Sequence, residues 1–241
     1  MPPLTTALTE PELPVRDIIL GLVGLYNRSL YPAAVFGVLL MLVAVAVVLI
    51  KPGRLADLFA KVLLDLAWLW VGVMFFFERV GPEFRVGYAF AALFVLQGTF
   101  FMVDFFFGTL EFRPYENRGR LFGGLALILV AGVAHPLVAI AAGRGWPYLM
   151  LAGTGPAASA AVTLGALLFT LHKPRPVFFL IPAAWAGVAG VRLAQAWGFY
   201  EELIPAAVAL TAVLWFAVVA WRDRRNRSPA GGEISSAQGA K

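Results

Sequence analysis

The chain has 241 residues, of which 61% are apolar and only 14% charged, with a mean hydropathy of +0.82 and a formal charge of +5. Soluble domains carry roughly 25% charged residues, and no single soluble core would hide this much apolar surface, so lipid is the implied solvent. The apolar residues come in continuous runs of about 20 rather than short alternating segments, which excludes a β-barrel and leaves an α-helical bundle, and the absence of cysteine removes disulfide and thiolate chemistry.

Residues 1–30 form an N-terminal segment in which Pro2, Pro3, Pro11 and Pro14 precede the apolar run 18–26. That run is too short to span and is expected to lie in the membrane surface as an amphipathic stretch. Seven spans are expected next, at 31–50, 56–77, 86–108, 121–142, 156–172, 177–197 and 203–221, so that the transmembrane domain covers 31–221. Residues 222–241 are too poor in apolar residues to fold and are expected to be a disordered basic tail.

Seven crossings assign every loop to a side. Arg16, Arg28, Arg79, Arg85 and Arg144 fall on the side of the N-terminus, and thirteen Lys and Arg fall on the other. Cytoplasmic loops carry the basic excess, so the N-terminus is expected outside and the C-terminus in the cytoplasm, in the cell membrane. Trp146, Tyr148, Trp197 and Tyr200 then gather at outer ends, where aromatic belts lie. The cluster Arg222, Arg224, Arg225 and Arg227 is expected to hold the tail to anionic lipid, so the basic surplus is no sign of nucleic-acid binding.

Small residues recur at four-residue spacing, Ala157, Ala161 and Gly165 on the fifth span and Ala186, Gly190 and Ala194 on the sixth. Such ridges let backbones approach closely, and the two spans are expected to pack on each other through them. Polar residues in lipid are costly unless paired or wet, and they divide into two sets. Toward the cytoplasmic side, Asp57, Lys61 and Asp65 step by four along one face, and Gln97 and Asp104 share a face of the next span. An ion-pair ladder between Lys61 and Asp57 or Asp65 is the structural expectation for these residues; an ion path through Lys61, Asp65, Gln97 and Asp104 is the functional one.

In the outer half, Trp185, Arg192 and Gln195 share a helix face, and His135 stands beside Pro136, which removes a backbone hydrogen bond and kinks its span. With Glu202 and the entry around Asn27, Tyr31 and Pro32, these residues are the candidate lining of an outward-facing polar pocket. Arg192 there is expected to pair with an acid or to snorkel to headgroups. No phosphate-binding loop, HExxH or GxSxG occurs, and His135 and His172 lie on different spans, so no catalytic residue, metal site or cofactor is expected.

The ordered motifs Tyr26-Asn27 with Tyr31-Pro32-Ala33, His135-Pro136-Leu137, Gly145-Trp146-Pro147, Gly155-Pro156 with Thr163-Leu164-Gly165, and Ile181-Pro182-Ala183-Ala184-Trp185 resemble a family of bacterial membrane proteins catalogued as domain of unknown function 6064. The resemblance covers residues 26–210. This chain has Pro156, Ala157 and Ala158 where the family commonly shows Pro-Cys-Pro. The resemblance implies no activity, but it places nearly all the motifs in the outer half. The expected function is a non-catalytic binding or accessory membrane protein with that pocket, partnered by the bilayer and by a second copy or another membrane protein. The alternative is a small-solute permease.

Overall fold

A computed structural model describes residues 15–227, so the proline-rich start and the tail beyond Arg227 lie outside the described residues. The helices are α1 (Val15–Leu30), α2 (Ala34–Ile50), α3 (Arg54–Glu83), α4 (Val86–Phe107), α5 (Arg118–Ala141), α6 (Pro156–Leu167), α7 (Pro176–Trp197) and α8 (Leu203–Arg227). Five of them are long and apolar enough to cross a membrane, with the last counted as Tyr200–Arg222, and a sixth crossing arises if α1 and α2, bent by 85°, count as one. The chain is an all-α, multi-pass membrane protein. The helix α8 continues through Arg227, so the first of the tail arginines stand on a helix end rather than in irregular chain, with Arg225 over the Trp221 ring at 5.7 Å.

Two expected spans take other forms. The run 31–50 is the 17-residue α2, entered from α1 through a sharp corner. The run 156–172 holds only the 12-residue α6, every residue of which is buried. A helix that short fails to match a bilayer, but protein encloses it on all sides, and non-helical backbone is tolerated at depth when protein or a cavity rather than lipid surrounds it. Its Ala, Gly, Ser and Thr let five helices, α2, α3, α5, α7 and α8, approach it. Its polar side chains satisfy one another's surroundings: Ser159 Oγ accepts from Gly153 N at 2.7 Å and donates to the Gly155 carbonyl, and Thr163 Oγ1 accepts from Trp68 Nε1 of α3 at 3.0 Å.

The fifth and sixth expected spans do pack on each other, but the glycines of their ridges make their closest approaches to other elements. A Cβ at Gly165 would meet Ile128 of α5 at 2.7 Å and the Gly124 carbonyl at 3.1 Å, and a Cβ at Gly190 would meet the Glu202 carbonyl at 2.6 Å. The close approaches of the two glycines are thus α6 on α5 and α7 on the start of α8, while α6 also packs on α7 along Pro176–Ala189.

The end of the bundle where α8 terminates is locked by fully partnered charge. Asp57 accepts from Phe112 N and pairs with Arg113 at 3.0 Å, and Lys61 pairs with Asp104 of α4 at 2.7 Å. Asp104 also caps its own helix, accepting from Thr109 N, Leu110 N and the Thr109 hydroxyl. The ladder along one face expected for Asp57, Lys61 and Asp65 is therefore replaced by bonds to other segments. The segment after α4 and the segment after α6 join in a short antiparallel contact, Arg113 N to the Phe169 carbonyl and Leu171 N to the Glu111 carbonyl, both 2.7 Å.

Candidate functional site

Three helices of the bundle contain π-helical turns, at Val71–Val80 in α3, Val130–Ala134 in α5 and Trp185–Ala189 in α7. The one in α5 has a visible cause in the sequence. Pro136 cannot donate to the carbonyl four residues back and crowds it, and the backbone just before opens so that His135 N donates to Val130, five residues away. In α7, Pro182 stands three residues before the widened turn and leaves the Phe178 carbonyl without its helical donor. Gln97 Nε2 of α4 supplies the missing bond at 3.2 Å. Gln97 is thereby accounted for as the cap of a proline defect, although its Oε1 has no hydrogen-bond partner among the described residues.

These widened turns frame one cavity of about 940 Å³ at the end of the bundle opposite Arg227. Phe75, Phe76 and Val80 come from the first, Trp185, Val188 and Ala189 from the third, and His135 follows the second. Small-molecule sites typically occupy roughly 300–1,000 Å³, so the space suits one sizeable molecule. Its wall is overwhelmingly apolar and aromatic: the Trp185 ring stands edge-on to Phe76, Phe90 and Phe94 at centroid distances of 5.0, 4.9 and 5.1 Å. The expected polar pocket is corrected in this respect to a greasy chamber with a polar end.

That polar end is built from His135, Glu202, Arg144 and Glu201. His135 Nε2 lies 3.4 Å from Glu202 Oε1, Arg144 pairs with Glu201, and the Arg144 guanidinium sits over the Phe199 ring at 4.9 Å. All four side chains are buried. Burial pushes the Arg144 guanidinium below its ordinary pKa, the nearby Glu202 carboxylate opposes that shift, and Arg16 adds to it. Among the described residues His135 Nδ1, Arg144 Nε and Nη1, Glu202 Oε2 and Trp185 Nε1 have no hydrogen-bond or ion-pair partner. Buried polar atoms are nearly always partnered, so five orphans around one cavity mark a place where a ligand's polar group would be worth most.

The helix α1 closes the chamber on one side with Ile19, Leu20 and Val23. It is pinned along its length: Arg16 stacks over Phe199 at 5.9 Å, Tyr26 Oη accepts from Trp70 Nε1 at 2.8 Å, and Ser29 Oγ accepts from Arg79 at 2.8 Å. Asn27 Nδ2 donates to the carbonyls of Pro147 and Leu149 at 2.5 and 2.8 Å, tying α1 to the loop that follows α5.

Of the residues expected at an outer pocket, His135, Trp185, Arg192 and Glu202 line the cavity. Asn27, Tyr31, Pro32, Pro136 and Gln195 do not. Asn27 is a buried staple, Tyr31 is exposed with its ring edge-on to Trp146 at 5.7 Å, and Pro32 and Gln195 are exposed. Arg192 is exposed rather than buried and has no carboxylate within 4 Å among the described residues. None of Lys61, Asp65, Gln97 and Asp104 lines the cavity: Lys61 and Asp104 bond each other, and Asp65 lies buried against Gly98 of α4. Arg144 was missed as a site residue. Its only signal is its position, a lone cation between Gly143 and Gly145 just after the His-Pro helix, facing the acidic pair Glu201-Glu202 of the next loop on that side.

A family model described as a family of unknown function (DUF6064) matches residues 16–227. No curated protein and no solved structure matches the chain.

Proposed function

The chain belongs to the DUF6064 family, and we propose that it serves in the cell membrane as a non-catalytic binding protein, holding one hydrophobic molecule with a polar tip in an outward-facing chamber. The observation that carries this reading is the combination of an apolar cavity of about 940 Å³ with five unpartnered buried polar atoms on the residues that line it. Such a chamber rewards a molecule that buries hydrocarbon against Phe76, Phe90 and Trp185 and offers a donor or acceptor to His135, Glu202 or Arg144. A permease would need a polar way through, and Lys61 and Asp104, expected on such a path, are instead engaged with each other.

The topology follows from charge. With the cavity end outside, the arginine-rich end of α8 and the loops carrying Lys51, Arg54, Arg113, Arg118, Arg120, Lys173 and Arg175 face the cytoplasm, as the basic excess requires. In this arrangement the segment 150–171 counts as a crossing, making seven, with the short α6 at its centre. A reporter fused after Arg227 is expected to be active only when its active compartment is the cytoplasm. Activity confined to the opposite side would reverse the assignment.

The binding reading is tested with a soluble amphiphile. Decanol added to purified protein in detergent is expected to raise the melting temperature in a saturable way, because a ligand that binds only the folded state stabilises it by mass action. Ala189→Phe, which places a ring in the chamber, should fold and lose that response. An unsaturable response, or the same response in both proteins, would remove the cavity from consideration.

A further inference from the structure

The chamber has an opening in its side wall. The helices α4 and α7 meet along Pro176–Ala184 and through the Trp185 ring against Phe90 and Phe94, but the widened turn Trp185–Ala189 packs on α6 and α8, and beyond it α7 packs on α8 and the turn Tyr200–Glu202. The cavity-lining side chains of these two helices include Val86 and Leu93 of α4 and Leu180 and Val188 of α7, and all four are also exposed, Val188 by 65%. A side chain that both lines a cavity and faces outward marks its rim. In a membrane-spanning bundle, this rim opens onto hydrocarbon rather than water.

Arg192 stands at the same rim, one helical turn beyond Val188. It lies five residues from the end of α7, about 7.5 Å at 1.5 Å per residue. From that depth the long side chain reaches the headgroup layer. Its guanidinium is exposed and has no carboxylate within 4 Å among the described residues. Of the acids at this end, Glu201 pairs with Arg144 and Glu202 lies beside His135, while the exposed Asp17, Glu78 and Glu83 lie beyond 4 Å of Arg192, and Arg16 adds a further positive charge. An apolar slot reached sideways from the bilayer, with an unpaired cation at headgroup height, is the complement of an anionic phospholipid.

We propose that the chamber is filled from the outer leaflet, one acyl chain of an anionic phospholipid entering between α4 and α7 while Arg192 holds its phosphate. This rests on the binding reading above and adds the ligand class and its route. Arg is suited to the task because its planar fork of donors matches phosphate oxygens bidentately. Trp185 forms the chamber wall beside the acyl chain and therefore reports its arrival.

The test reconstitutes the chain in nanodiscs of phosphatidylglycerol or phosphatidylcholine whose acyl chains are brominated at mid-chain. The quenching of Trp185 is read as the difference between wild type and Trp185→Phe. In mixed discs phosphatidylglycerol is expected to occupy the site about fivefold better than phosphatidylcholine, the factor that one arginine near an anionic surface supplies. Arg192→Gln should equalise the two lipids, and Val188→Phe, which narrows the rim, should weaken quenching by both. Arg192 and Val188 are exposed, so both variants are expected to melt as wild type does. Equal quenching by both lipids in wild type would overturn the role of Arg192. Absence of Trp185-specific quenching would overturn entry from the bilayer. If decanol still stabilises the protein in that case, the chamber binds something else and only the lipid proposal falls; if it does not, the binding reading falls as well.

Discussion

Lys61→Met is expected to cost about 3–5 kcal/mol of stability, because it leaves the Asp104 carboxylate buried without its cation. Lys61 is 1% exposed and bonds Asp104 Oδ2 at 2.7 Å and its backbone carbonyl at 3.3 Å. The loss should appear as a fall in melting temperature on the order of 10 °C in detergent. The pair is not a net source of stability in proportion to that loss, since desolvating two charges consumes most of their attraction. This distinction is measurable. In the double variant Lys61→Met with Asp104→Asn, the amide oxygen can still accept from Thr109 N though not also from Leu110 N, no charge is stranded, and part of the loss should return. If the double variant melts as low as the sum of the single ones, the two residues are energetically independent and the pairing carries no weight.

Gly153→Ala is the second large effect expected. Gly153 has φ +90°, where side chains are strained, and a Cβ there would fall on the carbonyl of Gly37 in α2. The loop 142–155 would have to leave α2, and with it would go the Pro147 and Leu149 carbonyls that Asn27 holds. The expected result is a loss of about 3 kcal/mol or more, together with faster hydrogen exchange in α1 as its anchor loosens. Gly145→Ala is the control, since nothing lies within 4 Å of its Cβ and its φ is unexceptional. Equal melting of the two variants, with α1 protection unchanged in both, would mean that the loop does not hold α1.

Four of the long helices were legible because each is a continuous apolar run with charge or proline at its ends. The expected 86–108, 121–142, 177–197 and 203–221 fall within a few residues of Val86–Phe107, Arg118–Ala141, Pro176–Trp197 and Tyr200–Arg222. The end of α3 was not legible, because Glu78 and Arg79 look like a boundary while the helix runs on to Glu83. The shortening of α6 was hidden for a different reason. Leu168 to Leu171 are as apolar as a helix interior, and only the pairing of Thr170 with Phe112, a contact between segments 58 residues apart, takes them out of the helix.

In the candidate site, intrahelical spacing brought Trp185 and Arg192 to one face, and kink chemistry pointed to His135. The roles of Asn27 and Gln97 depend on partners in distant segments, the loop carbonyls and the carbonyl freed by Pro182, which no local pattern reveals. The same limit explains Lys61. Two acids sit at the right helical spacing for it, yet its partner is Asp104 of α4, brought alongside by the packing of α4 on α3.

The bundle combines helices of very unequal length. At 1.5 Å per residue, the 12 residues of α6 rise about 18 Å and the 30 of α3 about 45 Å, less a little for its wider turns, against a hydrocarbon layer of about 30 Å. Protein surrounds α6, so bilayer thickness exerts no force on it. The mismatch falls on α3, which must tilt or project beyond the hydrocarbon. A tilt of α3 carries with it Val71–Val80, the stretch that supplies Phe75, Phe76 and Val80 to the chamber. Membrane thickness is therefore expected to act on the shape of the chamber through this one helix, whereas the end around Lys61 and Asp57 is tied by ion pairs to α4 and the segment after it.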